Sequence, residues 1–499
     1  MYLYALRKIA KNLFIAFIDY QKAFDTVWRA GLWLKLVNEG ISGKFLNVVK
    51  DMYAKSKSCV YLNNEKSNYF GSFAGVRQGE ILSPLLFAFY INDLEGFLRE
   101  KGVSPLGGLL KISGEVVDFN DYDLNFFIDL LTLFYADDTI VFADTAIGLQ
   151  FALEELENYC QKWKLTVNED KTKIMCITWG RFRNEKYNFI YNEKTLECVD
   201  EFTYLGIVFT KRGLTNKTVT ARETASKKAM FSFLTSCKKN LLPIDVQLDV
   251  FNKTVIPCML YGGELWGYNN TDCLELVQRK YLKYALKLKT GTCTAFLYCE
   301  SGYLPIEVEI KIRIVSFWVN LLIGRKDKFS YKMYLICLFL YRRGLVIFKW
   351  LDKVVSILNE TGFSYVFIDQ LNIDGKHLKN VLLPKIKNVV RDQAKQALFE
   401  KISQESDFPI YPSIVTFHKT QNYLVKMPPD IWIPLIKIRT GNHKLPIQFH
   451  SWKIVYKPKE ERTCTICGLG VVGDEMHYIM HCPVFDQAYL PKLPTQHGK

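Results

Sequence analysis

Phe134-Tyr135-Ala136-Asp137-Asp138-Thr139-Ile140-Val141-Phe142 sets two adjacent carboxylates between apolar residues. From Thr132 to Ala143 the chain is apolar on both sides of the pair, which predicts two strands joined by a tight turn. Two carboxylates side by side in such surroundings repel, so something cationic has to offset them. Hard divalent ions with oxygen ligands do this. Two such ions about 3.5–4 Å apart can activate an attacking oxygen and stabilise a leaving oxygen in phosphoryl transfer. The bland alternative is a type I′ turn that happens to hold two Asp residues. A third acid, Asp19, ends another buried-looking apolar run, Leu13 to Ile18. All seven histidines lie at 377 or later. The first 376 residues therefore supply no His base and no His-ligated zinc, and carboxylates and lysines must carry any chemistry there.

Outward from these acids, the chain has 499 residues, and at about 150 residues per domain roughly three are expected. An apolar fraction of 49% and a charged fraction of 23% exclude wholesale disorder. Lys and Arg number 65 against 51 Asp and Glu. That excess favours a polyanionic partner, nucleic acid or an anionic membrane surface. The 13 cysteines are odd in number and mostly scattered, unlike a secreted disulfide framework, and point to an intracellular, reducing compartment. No signal-peptide pattern opens the chain, and no apolar run reaches about 18 residues, so no membrane span is expected.

Periodicity predicts helices over Trp28 to Glu39, from Ser83-Pro84 through Arg99, and over Leu149 to Lys164. It predicts further strands at Ile174 to Thr178 and Tyr204 to Phe209. Residues 205–290 carry 14 Lys or Arg against 6 Asp or Glu and read as mostly helical. Residues 300–450 read as helical without a chemical motif.

Several stretches then fall into one order. Asp19-Tyr20-Gln21-Lys22-Ala23-Phe24-Asp25 resembles the first palm motif of reverse transcriptases. Gly75-Val76-Arg77-Gln78-Gly79 with Ser83-Pro84-Leu85-Leu86 resembles their template- and nucleotide-binding motif, and Phe134 to Asp138 their active-site hairpin. Asn168 to Lys173 and Tyr204-Leu205-Gly206 are similar to the two motifs that follow. Met259 to Trp266 resembles the thumb-side signature of non-LTR (LINE-type) retrotransposon polymerases. The resemblance implies that Asp19 and Asp137 bind two Mg²⁺ ions, or Mn²⁺, with Asp138 beside them. It implies that Phe24 blocks a ribose 2′-hydroxyl and that Gln78 and Gly79 line the nucleotide pocket, where glycine permits close backbone approach. Lys171 would protonate the pyrophosphate leaving group or hold its charge, with Lys173 as a competitor. Asp25 is spaced like a helix-starting acid and is given no metal. Arg77 would touch either template or triphosphate.

Cys464-Thr465-Ile466-Cys467, followed by His477, His481 and Cys482, has the spacing of a structural zinc knuckle that contacts nucleic acid. On a helix, His477 and His481 share a face, so geometry alone slightly favours His481 as the fourth ligand. The resemblance, to the Cys-Cys-His-Cys tails of such elements, favours Cys482.

The resemblance implies an α+β fold. A right-hand polymerase palm with partial fingers would occupy residues 1–209, a helical thumb 210–300, a helical C-terminal region of unknown role 301–454, and the knuckle 455–490. Its partners would be an RNA template, a DNA primer and dNTPs, and its place of action the nucleus. The match begins near residue 10, almost without the fingers region that normally precedes the first palm motif. That start implies an N-terminally truncated polymerase, weak or inactive by itself because positioning supplies much of phosphoryl-transfer catalysis. The alternatives are a non-catalytic nucleic-acid-binding remnant of a retroelement and, less favoured, a membrane-surface protein.

Overall fold

The computed structural model describes residues 12–106, 111–112, 115–116, 130–177, 186–211, 216–239, 242–344, 347–404, 411–415, 419–449 and 457–486. The chain divides into two compact units, Met1–Thr215 with Arg325–Phe348, and Asn216–Gly324 with Lys349–Lys499.

The first unit is built on a six-stranded sheet. Its order is Phe189–Tyr191, Lys194–Cys198, Lys173–Ile177, Leu13–Ile18, Asp138–Ala143 and Thr132–Tyr135. Neighbours run antiparallel except Lys173–Ile177 with Lys194–Cys198. Leu13–Ile18 is central and buried along its whole length, which explains why its sequence is an unbroken apolar run rather than an alternating one. Its side chains still alternate between faces. Phe14, Ala16 and Ile18 join Val141, Ala143 and Ile174 in a core covered by the helices Arg29–Asn38, Leu82–Ile91 and Ala146–Trp163. Leu13, Ile15 and Phe17 join Ile140, Phe142, Met175 and Ile177 on the opposite face, under Phe202, Tyr204, Phe209 and Phe329.

Some elements differ from expectation. Ser83 lies one residue inside a helix that starts at Leu82, and its hydroxyl donates to the Arg77 carbonyl. Pro84 still sits in the first turn, where no N–H is needed. That helix stops at Ile91 and a new one runs Leu94–Glu100. The intervening Asp93 is engaged by Lys35 at 2.6 Å. The helix expected from Leu149 starts at Ala146, because Thr145 caps it by accepting from Gly148 N–H at 3.0 Å. The single strand expected at Tyr204 to Phe209 is a hairpin, Glu201–Tyr204 with Ile207–Thr210. Leu205 and Gly206 both have positive φ (46° and 73°), the backbone of a two-residue hairpin turn.

The second unit is helical. Asn216–Lys239, Ile244–Leu260, Asp272–Ala285, Ile306–Ile323 and Leu383–Gln404 are its longest helices. Glu300, fully buried at the end of the helix Thr294–Ser301, accepts from the Tyr411 and Tyr423 hydroxyls (2.7 Å each) and from Arg439 Nε (2.8 Å). A buried carboxylate is tolerated because the cation and the two hydroxyls replace its water. Among the described residues, no helix of either unit is long and apolar enough to cross a membrane.

Candidate active site and metal centre

The antiparallel pairing of Ile18 with Thr139 puts Asp19 and Asp138 at neighbouring positions on adjacent strands, and the hairpin turn carries Asp137 next to them. Ala136 takes φ +54°, whereas Asp137 has no positive φ. The turn is therefore not type I′, which needs positive φ at both positions. Burial, then Asp137 and then Asp19 raise the Asp138 carboxyl above its ordinary range. Three carboxylates thus share one field, and in it Asp138 is the harder to ionise.

Residues the sequence reading passed over hold this arrangement. The Asp19 carbonyl accepts from Asn168 N–H at 2.7 Å, and Asp19 N–H donates to Thr172 Oγ1 at 3.2 Å. Both partners sit in the Asn168–Lys173 stretch, whose resemblance to a polymerase motif gives a role to its lysines and none to Asn168 or Thr172. Asn168 acts through its backbone N–H, which its residue type does not disclose, and only Thr172 acts through its side chain. The same loop places Lys171 Nζ 3.9 Å from Asp19 Oδ2, with its side chain exposed. Lys173 instead bonds Glu197 at 2.6 Å and the Asp170 carbonyl.

The glycine-containing stretch lies against the turn after Asp19. Val76 N–H donates to the Phe24 carbonyl at 2.7 Å and Gly75 N–H to Val27 at 2.9 Å. Gly75 has φ +79°, and a Cβ there would lie 2.5 Å from the Asp25 carbonyl oxygen. This is the close approach that glycine allows. Gln78 reaches Asp25 at 3.5 Å, and Gly79, with φ +84°, follows it. Phe24 is half-buried with its ring 5.3 Å from Phe87. Arg77 bonds Ser56 Oγ, the Met52 carbonyl and Glu80. Arg29 donates to the carbonyls of Tyr53, Ser72, Ala74 and Gly75, fastening the loop from within.

Far along the chain, the ligand atoms of Cys464, Cys467, His477 and Cys482 lie within 4.8 Å of one another. A backbone bridge, Thr463 with Val472, forms the cysteine-bearing ribbon. His477–His481 is a π-turn ending at the extended Cys482. The wider turn accommodates an i, i+5 pair that a regular helix would not bring together. His481 is exposed and outside the group. Two thiols, an imidazole and a third thiol around one centre match tetrahedral zinc chemistry.

Residues 3–209 match the family model for reverse transcriptase (RNA-dependent DNA polymerase). That match takes in both strands of the acidic hairpin and the strand that ends at Asp19. The probable RNA-directed DNA polymerase from transposon BS of Drosophila melanogaster is 27% identical over 273 residues, 54% of this chain and 28% of that protein. The polymerase from mobile element jockey of the same organism is 24% identical over 279 residues, 54% of this chain and 28% of that protein. The Pol polyprotein from the type-1 retrotransposable element R2 of Bradysia coprophila is 25% identical over 303 residues, 58% of this chain and 31% of that protein. The chain thus spans about three tenths of the curated relatives it matches. A solved telomerase from Candida albicans, in complex with a TWJ fragment of telomeric RNA, is 13% identical with a TM-score of 0.29, covering 81% of this chain and 50% of that one. Asp19, Asp137, Asp138 and Lys171 all fall inside the residues matched by that family model, and the Cys-Cys-His-Cys group falls outside them.

Proposed function

We propose that this chain is an RNA-directed DNA polymerase of the non-LTR retrotransposon type, extending a DNA primer on an RNA template by attack of the primer 3′-hydroxyl on the α-phosphate of a dNTP. The carrying observation is the convergence of Asp19, Asp137 and Asp138, with the Asp138 carboxyl raised by burial and then by its acidic neighbours. Such a donor set, all oxygen with no thiol or imidazole, fits hard divalent cations. Asp19 and Asp137 would hold two Mg²⁺ ions, which when bound supply activation of the attacking oxygen and stabilisation of the leaving one. Asp138 adds negative charge beside them. Lys171, next to Asp19, offers a cation to the departing pyrophosphate. Gln78 and Gly79 line the nucleotide pocket, and the Phe24 ring rejects a ribose 2′-hydroxyl by occupying its space. The basic helices between residues 216 and 300 act as a thumb that neutralises backbone phosphates without reading sequence. Cys464, Cys467, His477 and Cys482 would bind a structural Zn²⁺.

Primer extension with dNTPs and Mg²⁺ tests this reading, wild type against Asp137→Ala/Asp138→Ala. The double variant is expected to lose about a thousandfold in rate, equal to about 4 kcal/mol of barrier. Undiminished extension in the double variant would sink the proposal. Extension in neither chain, with RNA binding intact, would favour the non-catalytic nucleic-acid-binding reading.

A further inference from the structure

The Cys-Cys-His-Cys knuckle was expected to touch nucleic acid, yet its own charge argues against that. Residues 457–486 carry three Lys or Arg against five Asp or Glu. Three thiolates around a dication would add one more negative charge. Such a surface repels phosphate at any distance that salt leaves unscreened.

The knuckle instead grips a loop. His443 Nε2 meets Glu475 Oε1 at 2.6 Å, Ile447 N–H donates to the Gly473 carbonyl at 3.2 Å, and Arg462 Nη1 donates to the Ile447 carbonyl at 2.7 Å. His443, Ile447 and Arg462 are all buried. One residue before His443, the buried Asn442 ties the same loop to a second segment. Its Oδ1 accepts from Lys289 N–H at 3.1 Å and from Thr292 Oγ1 at 2.7 Å, while its own N–H donates to the Lys437 carbonyl at 2.7 Å.

Three lysines are gathered by this clamp. Lys289 and Lys444 are exposed and Lys437 is half-buried. They are near enough that Lys444 and Lys437, after burial, lower the Lys289 ammonium below its ordinary value. The backbone bonds of Asn442 to Lys289 and Lys437 bring the three lysines to one place, and positive charge concentrated in this way attracts a polyanion.

We propose that Lys289, Lys437 and Lys444 form a docking patch for the phosphate backbone of a nucleic acid, and that the knuckle is its scaffold rather than a contact surface. Glu475, through His443, is a positioning residue for the patch. This rests on the reading that the chain works on RNA, and it adds where the strand is held and why the knuckle is present.

The test is fluorescence anisotropy of the full chain with a labelled single-stranded RNA, and with DNA of the same sequence, across a salt series. Each phosphate contact contributes about 0.7 to the slope of log affinity against log salt for single strands. Lys289→Gln/Lys444→Gln is expected to lower that slope by about 1.4 while retaining a full equivalent of zinc. Glu475→Ala should lower it similarly with zinc retained, and Glu475→Gln, which keeps a hydrogen bond to His443, should restore it. A steeper loss with RNA than with DNA identifies RNA as the strand held; equal loss identifies the backbone alone. An unchanged slope in the lysine variant, with extension activity present, overturns the patch and leaves the polymerase reading standing. A lowered slope in a chain that never extends a primer does the reverse. A normal slope in Glu475→Ala overturns the scaffold role, and a wild type that binds neither strand overturns both.

Discussion

Gly75 is the residue on which the loop carrying Gln78 and Gly79 turns. Its positive φ and the Asp25 carbonyl 2.5 Å from any added Cβ make even alanine a poor substitute. Gly75→Ala should destabilise the protein by about 1–3 kcal/mol, read as a shift in the urea midpoint, and should raise KM for dNTP more than it lowers kcat, because Gln78 and Gly79 would move while the carboxylates stay. An unchanged midpoint and KM would mean that the loop is not held as described. Asp19 shows the opposite economy of design. Its backbone is fixed by Asn168 and Thr172, and among the described residues Lys171 approaches its carboxylate at 3.9 Å.

Among elements, the ring of Tyr411, Tyr423 and Arg439 around Glu300 joins four segments through one carboxylate. Glu300→Ala leaves Arg439 buried without its anion, and about 3–5 kcal/mol of stability is expected to go with it, measurable by denaturant unfolding. A loss below about 1 kcal/mol would show the network to be incidental. Glu275 gives a pH signature. Burial pushes its carboxyl up to about 7 from 4.5, partly offset by the hydrogen bond it accepts from Ile306 N–H. The folded state then holds this proton more tightly than the unfolded one, so its contribution is fullest below about pH 4.5 and is lost as pH rises through about 7. Thermal midpoints should fall across that interval, by on the order of 2 kcal/mol in stability terms, and Glu275→Gln should flatten the profile; a parallel profile in the variant would refute it. These elements differ in how far the sequence disclosed them. The central strand and the acidic hairpin were legible because their apolar runs and the paired Asp residues are local signals. The hairpin at Leu205-Gly206 was not, because an apolar stretch with no Asn-Gly or Asp-Gly pair looks continuous. The Glu300 ring was not, since its members are 111 to 139 residues apart and no periodicity links them. At the candidate site, the carboxylates announced themselves, whereas the Asn168 and Thr172 struts could be recognised only once the strands were paired.

At the scale of the molecule, the first unit is discontinuous, since Arg325–Phe348 belongs with residues 1–215 and Phe329 packs on the sheet face opposite the helices. A fragment ending at Thr215 would lose that cover. It should bind a hydrophobic dye more strongly than the full chain and melt lower, by about the 1.5–3 kcal/mol that burying one large apolar side chain contributes; equal melting would mean the late segment adds nothing to this face. The order of synthesis gives the same arrangement a further meaning. Phe329 leaves the ribosome roughly 150 residues after the last strand it helps to cover, about 8–30 seconds later at common elongation rates. For that interval Ile15, Ile140 and Met175 present an apolar face that Phe202, Tyr204 and Phe209 shield without Phe329. The newborn chain is thus stickiest while its three clustered carboxylates are already encoded and their strands already available to pair, and its yield in a cell depends on what shelters it during those seconds.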